Sequence, residues 1–261
     1  MKKALYRSFM ELTSNQLNSY LLRKFTTSSA SRYLVKSFAK TYKINQEEME
    51  KPLSDYRSLH SFFVRRLKQG VRIIDERKDQ VVSPVDGILA DLGEITDTCT
   101  FFVKGQTYSI EEMLGNHNHI DKYRGGAYVI FYLSPSHYHR IHSPISGQVI
   151  RQWTLGKKSY PVNEHGLIYG KRPLSRNYRL ITEVQTEGKH MAIVKVGALN
   201  VNSIHTTHPS SEIKKGEEVG YFSFGSTVVL LFEKGIFHSD EKNLPKEVQV
   251  GQSIGRIEFS N

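Results

Sequence analysis

YFSFGSTVVLLF, residues 221–232, decides how this chain folds. Five apolar residues, Val228 to Phe232, form a run too short for a helix and read as a strand buried on both faces. Gly225-Ser226-Thr227 stands at its mouth, a flexible residue followed by two hydroxyls that need hydrogen-bond partners. No long helix follows. The question is why such a triplet should open a buried strand.

Outward from this run, the chain from about residue 80 reads as strands and turns. VVSPVDGILADLGEI (81–95) is strand, turn, strand, with Pro84 and Asp86-Gly87 in the turn. AYVIFYLSP (127–135) is a strand closed by Pro135. SPISGQVIRQWTL (143–155) repeats the Ser-Pro-x-x-Gly turn and its strand. RLITEVQTEGKHMAIVKVGAL (179–199) reads as a hairpin turning at Glu187-Gly188, and VQVGQSIGRIEF (248–259) alternates like a last strand. Three helices come before: one over residues 2–25, one carrying Leu34, Phe38 and Tyr42, and SLHSFFVRRLK (58–68) with Leu59, Phe62, Phe63 and Leu67 on its buried face. The expected class is α+β, with N-terminal amphipathic helices before a predominantly antiparallel β core.

Charge is concentrated at one end. The formal net charge is +10, and residues 1–43 supply +8 of it, nine Lys/Arg against the single acid Glu11. The body is nearly neutral. MKKALYRSFMELTSNQ lacks the apolar stretch of a signal peptide, and no segment approaches the roughly 20 apolar residues of a bilayer span. Basic residues beside an apolar stripe suit an anionic membrane surface, with Leu5, Phe9, Phe38 and Tyr42 inserting. They also suit helices packed on the protein's own core. Nucleic acid is the poorer reading, because the aromatics lie on the apolar stripe. The one cysteine, Cys99, excludes an internal disulfide and suits a reducing compartment.

Three places hold reactive groups. Asp86 lies in an Asp-Gly turn, which is ordinary turn chemistry by itself. His137, His139 and His142 fall within SPSHYHRIHSP (134–144) and could hold zinc, supply a base or line a loop. Gly225-Ser226 could be a bulge. A hydrolase nucleophile elbow is excluded, since Val228 stands where Gly-x-Ser-x-Gly needs glycine. A serine after a glycine permits attack on the preceding, unshielded carbonyl. Residues 155–180, with Lys157, Lys158, Lys171, Arg172, Arg176 and Arg179, read as a long basic loop, of a length that is usually functional or mobile.

FGST (224–227), SPVDG (83–87), HYHRIHSPISG (137–147), LHSFFVRRLKQGVRIID (59–75) and MAIVKVGALNVNSI (191–204) together resemble the phosphatidylserine decarboxylase proenzymes over roughly residues 50–261. Phe224 departs from the Leu of many members, an apolar exchange. The resemblance implies self-cleavage at Gly225–Ser226 into 1–225 (the β chain) and 226–261 (the α chain). Ser226 would become a covalent pyruvoyl group, with His142 as its base, Asp86 orienting His142 and Thr227 holding the geometry. Phosphatidylserine would then form a Schiff base with the pyruvoyl group and lose carbon dioxide to give phosphatidylethanolamine, His139 serving the decarboxylation. No metal or external cofactor is implied. Residues 1–70 would be a helical membrane-association region and 71–261 the catalytic domain, peripheral on the cytoplasmic face of the cell membrane; a homodimer is left open. The rival readings are a zinc hydrolase using His137, His139 and His142, an uncleaved lipid-binding relative, and a decarboxylase of a water-soluble amine.

Overall fold

A computed structural model describes residues 16–115, 120–157, 160, 162, 167, 172–198, 204–208, 210–223, 226–239 and 241–258. Its helices are α1 (Gln16–Thr27), α2 (Arg32–Thr41), α3 (Leu59–Phe63), α4 (Ile110–Leu114) and α5 (Pro173–Arg176). Its strands are β1 (Gln80–Val82), β2 (Gly87–Glu94), β3 (Thr100–Val103), β4 (Gln106–Ser109), β5 (Ala127–Leu133), β6 (Arg140–His142), β7 (Gly147–Leu155) and β8 (Arg179–Thr186). They continue with β9 (Lys189–Gly197), β10 (Ile204–Thr206), β11 (Glu212–Ile213), β12 (Glu218–Phe222), β13 (Ser226–Phe232), β14 (Phe237–His238), β15 (Lys246–Val248) and β16 (Ser253–Ile257).

The apolar run is strand β13, and it lies inside an eight-stranded antiparallel sheet of order β11-β7-β8-β9-β13-β5-β2-β15. Side chains alternate across a strand, so β13 feeds two cores. Val228, Leu230 and Phe232 join one cluster with Phe131, Ile141, Ile193 and Phe222. Val229 and Leu231 join another with Phe101, Tyr108, Met113 and Val194. Burial on both faces is why the sequence shows a continuous apolar run here instead of an alternation. The outer strands, β11 and β15, are two and three residues long and carry Glu212, Lys246 and Glu247. Short, charged edges discourage pairing with another chain.

A small sheet, β10-β12-β6, caps the first face, and the β3–β4 hairpin with α4 and α5 covers the second. The chain therefore leaves the small sheet at Phe222 and enters the central sheet at Ser226. The β8–β9 hairpin turns as expected at Glu187-Gly188, both residues at positive φ (46° and 78°). The α+β class with an antiparallel β core stands.

The N-terminal helices differ from expectation in detail. Val35, Phe38 and Ala39 of α2 are buried against Phe62 and Phe63 of α3. Phe38 is thus a core residue and is not free to enter a membrane. The exposed apolar side chains are Tyr20, Leu21, Phe25 and Tyr33, beside exposed Arg23, Lys24, Arg32, Lys36 and Lys40. Leu5 and Phe9 lie outside the described residues. Helix α3 stops at Phe63, short of Lys68, because tertiary donors claim the next carbonyls. Arg140 donates to Val64 O (3.0 Å) and Glu50 N donates to Arg66 O (3.0 Å). No helix among the described residues is long and apolar enough to cross a membrane.

Leu230 is fully buried at the centre of β13. Leu230→Ala, in a chain also carrying Ser226→Ala so that it stays in one piece, should lose about 2–5 kcal/mol of stability. Urea denaturation reads this as a lower midpoint with unchanged slope.

Candidate active site at the entrance of strand β13

Ser226 pairs with Leu133 of β5 on one side and Gly197 of β9 on the other. It is fully buried, and its Oγ has no hydrogen-bond partner among the described residues; the same holds for Thr227 Oγ1. Alternation puts Ser226 on the face of Val228 and Leu230, towards the small sheet, and Thr227 on the other. Gly225 and Phe224 lie outside the described residues.

The residue after Leu133 organises the histidines. Ser134 N donates to His137 Nδ1 (2.9 Å), and His139 Nε2 donates to Ser134 O (3.0 Å). A carbonyl only accepts, so His139 carries its proton on Nε2 and presents Nδ1 as a bare acceptor. That Nδ1 is buried and without a partner. Burial, with the nearby Arg65 charge, holds His139 well below the usual imidazole range, so it is neutral at neutral pH. Phe63 of α3 stacks on its ring at 4.0 Å.

His142 ends β6. Its Nδ1 donates to Gly216 O (2.8 Å), which leaves Nε2 as the acceptor, 3.4 Å from the Tyr138 hydroxyl. Burial lowers its pKa, while the Gly216 carbonyl and the charges of Glu218 and Asp86 oppose that. His142 N also donates to Pro84 O (2.8 Å), which ties β6 to the SPVDG turn. Asp86 itself accepts from Arg72 Nε (2.9 and 3.1 Å) and Nη2 (2.5 Å) and from Val250 N (2.9 Å). Arg72 also holds Glu48 (2.9 Å). Burial works against the Arg72 charge, but its bonds to Asp86 and Glu48 outweigh that and raise its pKa. In this chain, then, Asp86 makes no hydrogen bond to His142, nor His142 to Ser226. A bidentate guanidinium is the stronger partner for the carboxylate.

The three imidazoles do not converge. His137 faces Glu247 (3.5 Å), His139 faces Ser134 and His142 faces Gly216. Among the described residues no group of three His, Cys, Asp or Glu side chains is disposed to hold a metal ion, so the zinc reading is not favoured. The basic loop also reads differently in the structure. Arg172 and Arg176 pair with Glu112, and Arg179 is buried, donating to Met113 O and Glu112 O. Arg179 is thus committed to the fold, whereas Arg172 and Arg176 keep side-chain exposures of 41% and 39% beside Glu112 and Lys157 is exposed; Lys158 and Lys171 lie outside the described residues.

Four features were not read from the sequence. Arg72 clamps Asp86. Arg65, from the FFVRR segment, donates to Ser136 O (2.9 Å) and His137 O (3.0 Å). His60 and His205 both reach Ser223 Oγ (3.2 and 2.9 Å), just before the Gly-Ser bond. Lys195 is buried on the same face as Ser226 with only Thr182 Oγ1 as partner (2.7 Å), and burial pulls it down to about 7. His60, Arg65 and Arg72 lie in the LHSFFVRRLKQGVRIID segment and Lys195 in MAIVKVGALNVNSI, but neither segment by itself says which partners these side chains find.

A family profile described as phosphatidylserine decarboxylase matches residues 59–256. A phosphatidylserine decarboxylase proenzyme of Anoxybacillus flavithermus is 59% identical over 256 residues, covering 98% of this chain and 97% of that protein. One from a Geobacillus species is 57% identical over 258 residues, covering 98% and 100%. One from Bacillus cereus is 54% identical over 254 residues, covering 97% and 95%.

His60, His137, His139, His142 and His205 all have pKa values lowered first by burial. Below the ordinary value of 6.5 the unfolded chain binds protons that the folded chain refuses. Stability therefore rises with pH through this window and is lost as pH falls below it. The urea midpoint should drop between pH 7 and pH 5.5, above the range where carboxylates titrate, and His139→Gln should flatten the slope. A midpoint independent of pH would contradict the buried neutral imidazoles.

Proposed function

The chain belongs to the phosphatidylserine decarboxylase family, and from that premise we propose that it cuts itself between Gly225 and Ser226 and then decarboxylates phosphatidylserine. It is a carboxy-lyase whose products are phosphatidylethanolamine and carbon dioxide. The observation that carries the maturation reading is the Ser226 hydroxyl, fully buried at a strand entrance with no partner. A hydroxyl so placed is neither solvated nor bonded, so it is free to react with the carbonyl that precedes it.

Maturation is a rearrangement of the chain's own atoms. The Ser226 oxygen adds to the Gly225 carbonyl carbon, and the Gly225–Ser226 amide bond breaks to leave an ester and a free amine. His142 takes the hydroxyl proton at Nε2 and returns it to the departing nitrogen. Loss of the Ser226 α-proton expels the Gly225 carboxylate and leaves a double bond. Water then replaces the nitrogen, which leaves as ammonia. Asp86, whose charge raises the basicity of His142, supports the base from its clamp on Arg72.

The site suits the pyruvoyl group that results: His139 Nδ1, buried and without a partner among the described residues, lies on the ring bonded to the Ser134 carbonyl, next in the chain to Leu133, the residue that pairs with position 226. When formed, that group supplies a carbonyl that condenses with the substrate amine and accepts the electron pair left behind by carbon dioxide. His139, neutral and stacked on Phe63, offers the bare Nδ1 as a proton relay: a proton taken up there makes a transient imidazolium, which gives it to the carbon that has lost the carboxylate and returns to the neutral ring. The burial of Ser226 keeps water from the reacting atoms.

Residues 1–70 serve membrane association and 71–261 catalysis in this reading. The surface that supports it is the exposed set Tyr20, Leu21 and Tyr33 beside Arg23, Lys24, Arg32, Lys36 and Lys40. Each basic residue near an anionic leaflet adds about 1 kcal/mol. The protein would act peripherally at the cytoplasmic face of the cell membrane.

Intact mass of the purified protein should give two pieces, 1–225 and 226–261, the second without a free amine. Ser226→Ala should stay whole and inactive, and His142→Ala should slow cutting by about 10²-fold or more, the scale of a lost general base. Carbon dioxide release from phosphatidylserine vesicles measures the reaction. A chain that stays whole and still decarboxylates would overturn the scheme.

A further inference from the structure

Resting on that reading, we infer that Arg65 binds the phosphodiester of the lipid head group, in the cavity between the end of α2 and the SPVDG turn. The cavity measures about 570 Å³, within the range of small-ligand sites, and Tyr42, Lys43, Arg65, Asp86, His137 and Glu247 are among its walls. Arg65 is 4% exposed and has no carboxylate partner. Nη2 donates to the Ser136 and His137 carbonyls, while Nε and Nη1 are buried and have no hydrogen-bond partner among the described residues. A buried guanidinium with two idle donors is costly unless an anion completes it. Burial draws its pKa down to about 10, which leaves it charged at neutral pH.

Charge around the cavity singles out the same residue. Arg72 is neutralised by Asp86 and Glu48, and Glu247 faces His137. Among the described residues of the wall, Arg65 inside and exposed Lys43 at the rim are the cations with no carboxylate bonded to them, although Glu48, Asp86 and Glu247 balance the three cations in number. The cavity also shares its Tyr42–Asn45 wall with the end of α2, whose outer face carries Tyr33 and Lys36. A lipid held on that face would send its head group inward. Inside, the Arg65 charge acts on His139, the imidazole next to the Ser134 carbonyl.

The head group offers two anions, and the reaction distinguishes them. The carboxylate loses its charge as carbon dioxide departs. A guanidinium bonded to it would stabilise the starting state more than the transition state and slow the reaction. The phosphodiester keeps its charge throughout, so binding it holds the substrate at no kinetic cost. It lies a few bonds from the reacting carbon, close enough for one buried cation to anchor while the carboxylate stays unpaired.

The test uses the matured full-length protein and two soluble probes. Glycerophosphoethanolamine has the phosphodiester and no carboxylate; serine has the carboxylate and no phosphodiester. Glycerophosphoethanolamine should inhibit phosphatidylserine turnover at lower concentration than serine. Arg65→Gln should weaken that inhibition and raise KM by roughly 10- to 100-fold, the span of a charge-assisted hydrogen bond, with kcat changed far less. Its effect on serine should be small, and intact mass shows whether the variant matures. A second readout needs no turnover: ³¹P line broadening of glycerophosphoethanolamine by the uncut Ser226→Ala chain, reduced by Lys43→Gln, which alters only an exposed rim residue. Unchanged constants in Arg65→Gln, or no broadening by the Ser226→Ala chain, would overturn the assignment. Serine inhibiting as strongly, with Arg65→Gln weakening it alone, would give Arg65 to the carboxylate instead. If the wild-type chain fails to decarboxylate, the functional reading falls, while the ³¹P measurement still decides whether Arg65 and Lys43 mark an anion site.

Discussion

A buried hydroxyl without a hydrogen bond costs about 1–3 kcal/mol, and strand β13 bears that cost at its first residue. Ser226 cannot turn to solvent, because β5 and β9 pair with it on both sides and the small sheet covers its face. Nor is it satisfied by a neighbour. The fold holds a reactive atom dry and unpaired at the point where the chain passes from one sheet to another. Thr227 Oγ1 is unpaired too, on the opposite face, so the strand entrance concentrates two such costs. Everything else at the site is arranged around that entrance.

The arrangement is electrostatic as much as steric. Desolvation keeps His139 and His142 neutral, and the carbonyls of Ser134 and Gly216 decide which nitrogen of each ring carries the proton. Each ring is left with one basic nitrogen. Asp86 contributes through its charge and not through a direct bond, since Arg72 occupies both of its oxygens. The clamp has a cost and a use. It holds a buried carboxylate and the SPVDG turn in place, yet any direct Asp86–His142 bond must compete with a bidentate ion pair.

The parts of this structure that local chemistry dictates were legible. VVLLF could only be a strand buried on both faces, and Glu187-Gly188 supplies the two positive φ values of a tight hairpin. The candidate reactive residues were named for a different reason, the resemblance of FGST, SPVDG and HYHRIH to a known family; by themselves Asp-Gly and Gly-Ser are common turns. What stayed hidden depends on distant partners. Arg72 finds Asp86 across 14 residues, Arg65 finds Ser136 across 71, and His60 finds Ser223 across 163. In sequence each looks like a solvated polar residue. Phe38 shows the converse limit. Periodicity marks an apolar stripe on α2 but does not say whether protein or lipid covers it, and here Phe62 and Phe63 do.

The position of the proposed cut would also let a cleaved chain remain one protein. Cleavage before the first residue of a strand can touch only the first rung of its ladders. The six residues of β13 after it, Thr227 to Phe232, would keep their partners in β5 and β9. Further along the short piece, β15 pairs with β2, β16 pairs with β1, and Val250 N still bonds Asp86. The core side chains Val228, Leu230, Phe232 and Ile254 stay buried in one cluster with residues of the longer piece. A cut one or two residues later would leave the new end inside the ladder, with paired backbone groups set free in a dry core. A cut earlier, within β12, would loosen the sheet that covers the site. A cut at the proposed Gly-Ser junction would therefore make a reactive group while leaving the ladder from Thr227 onward intact.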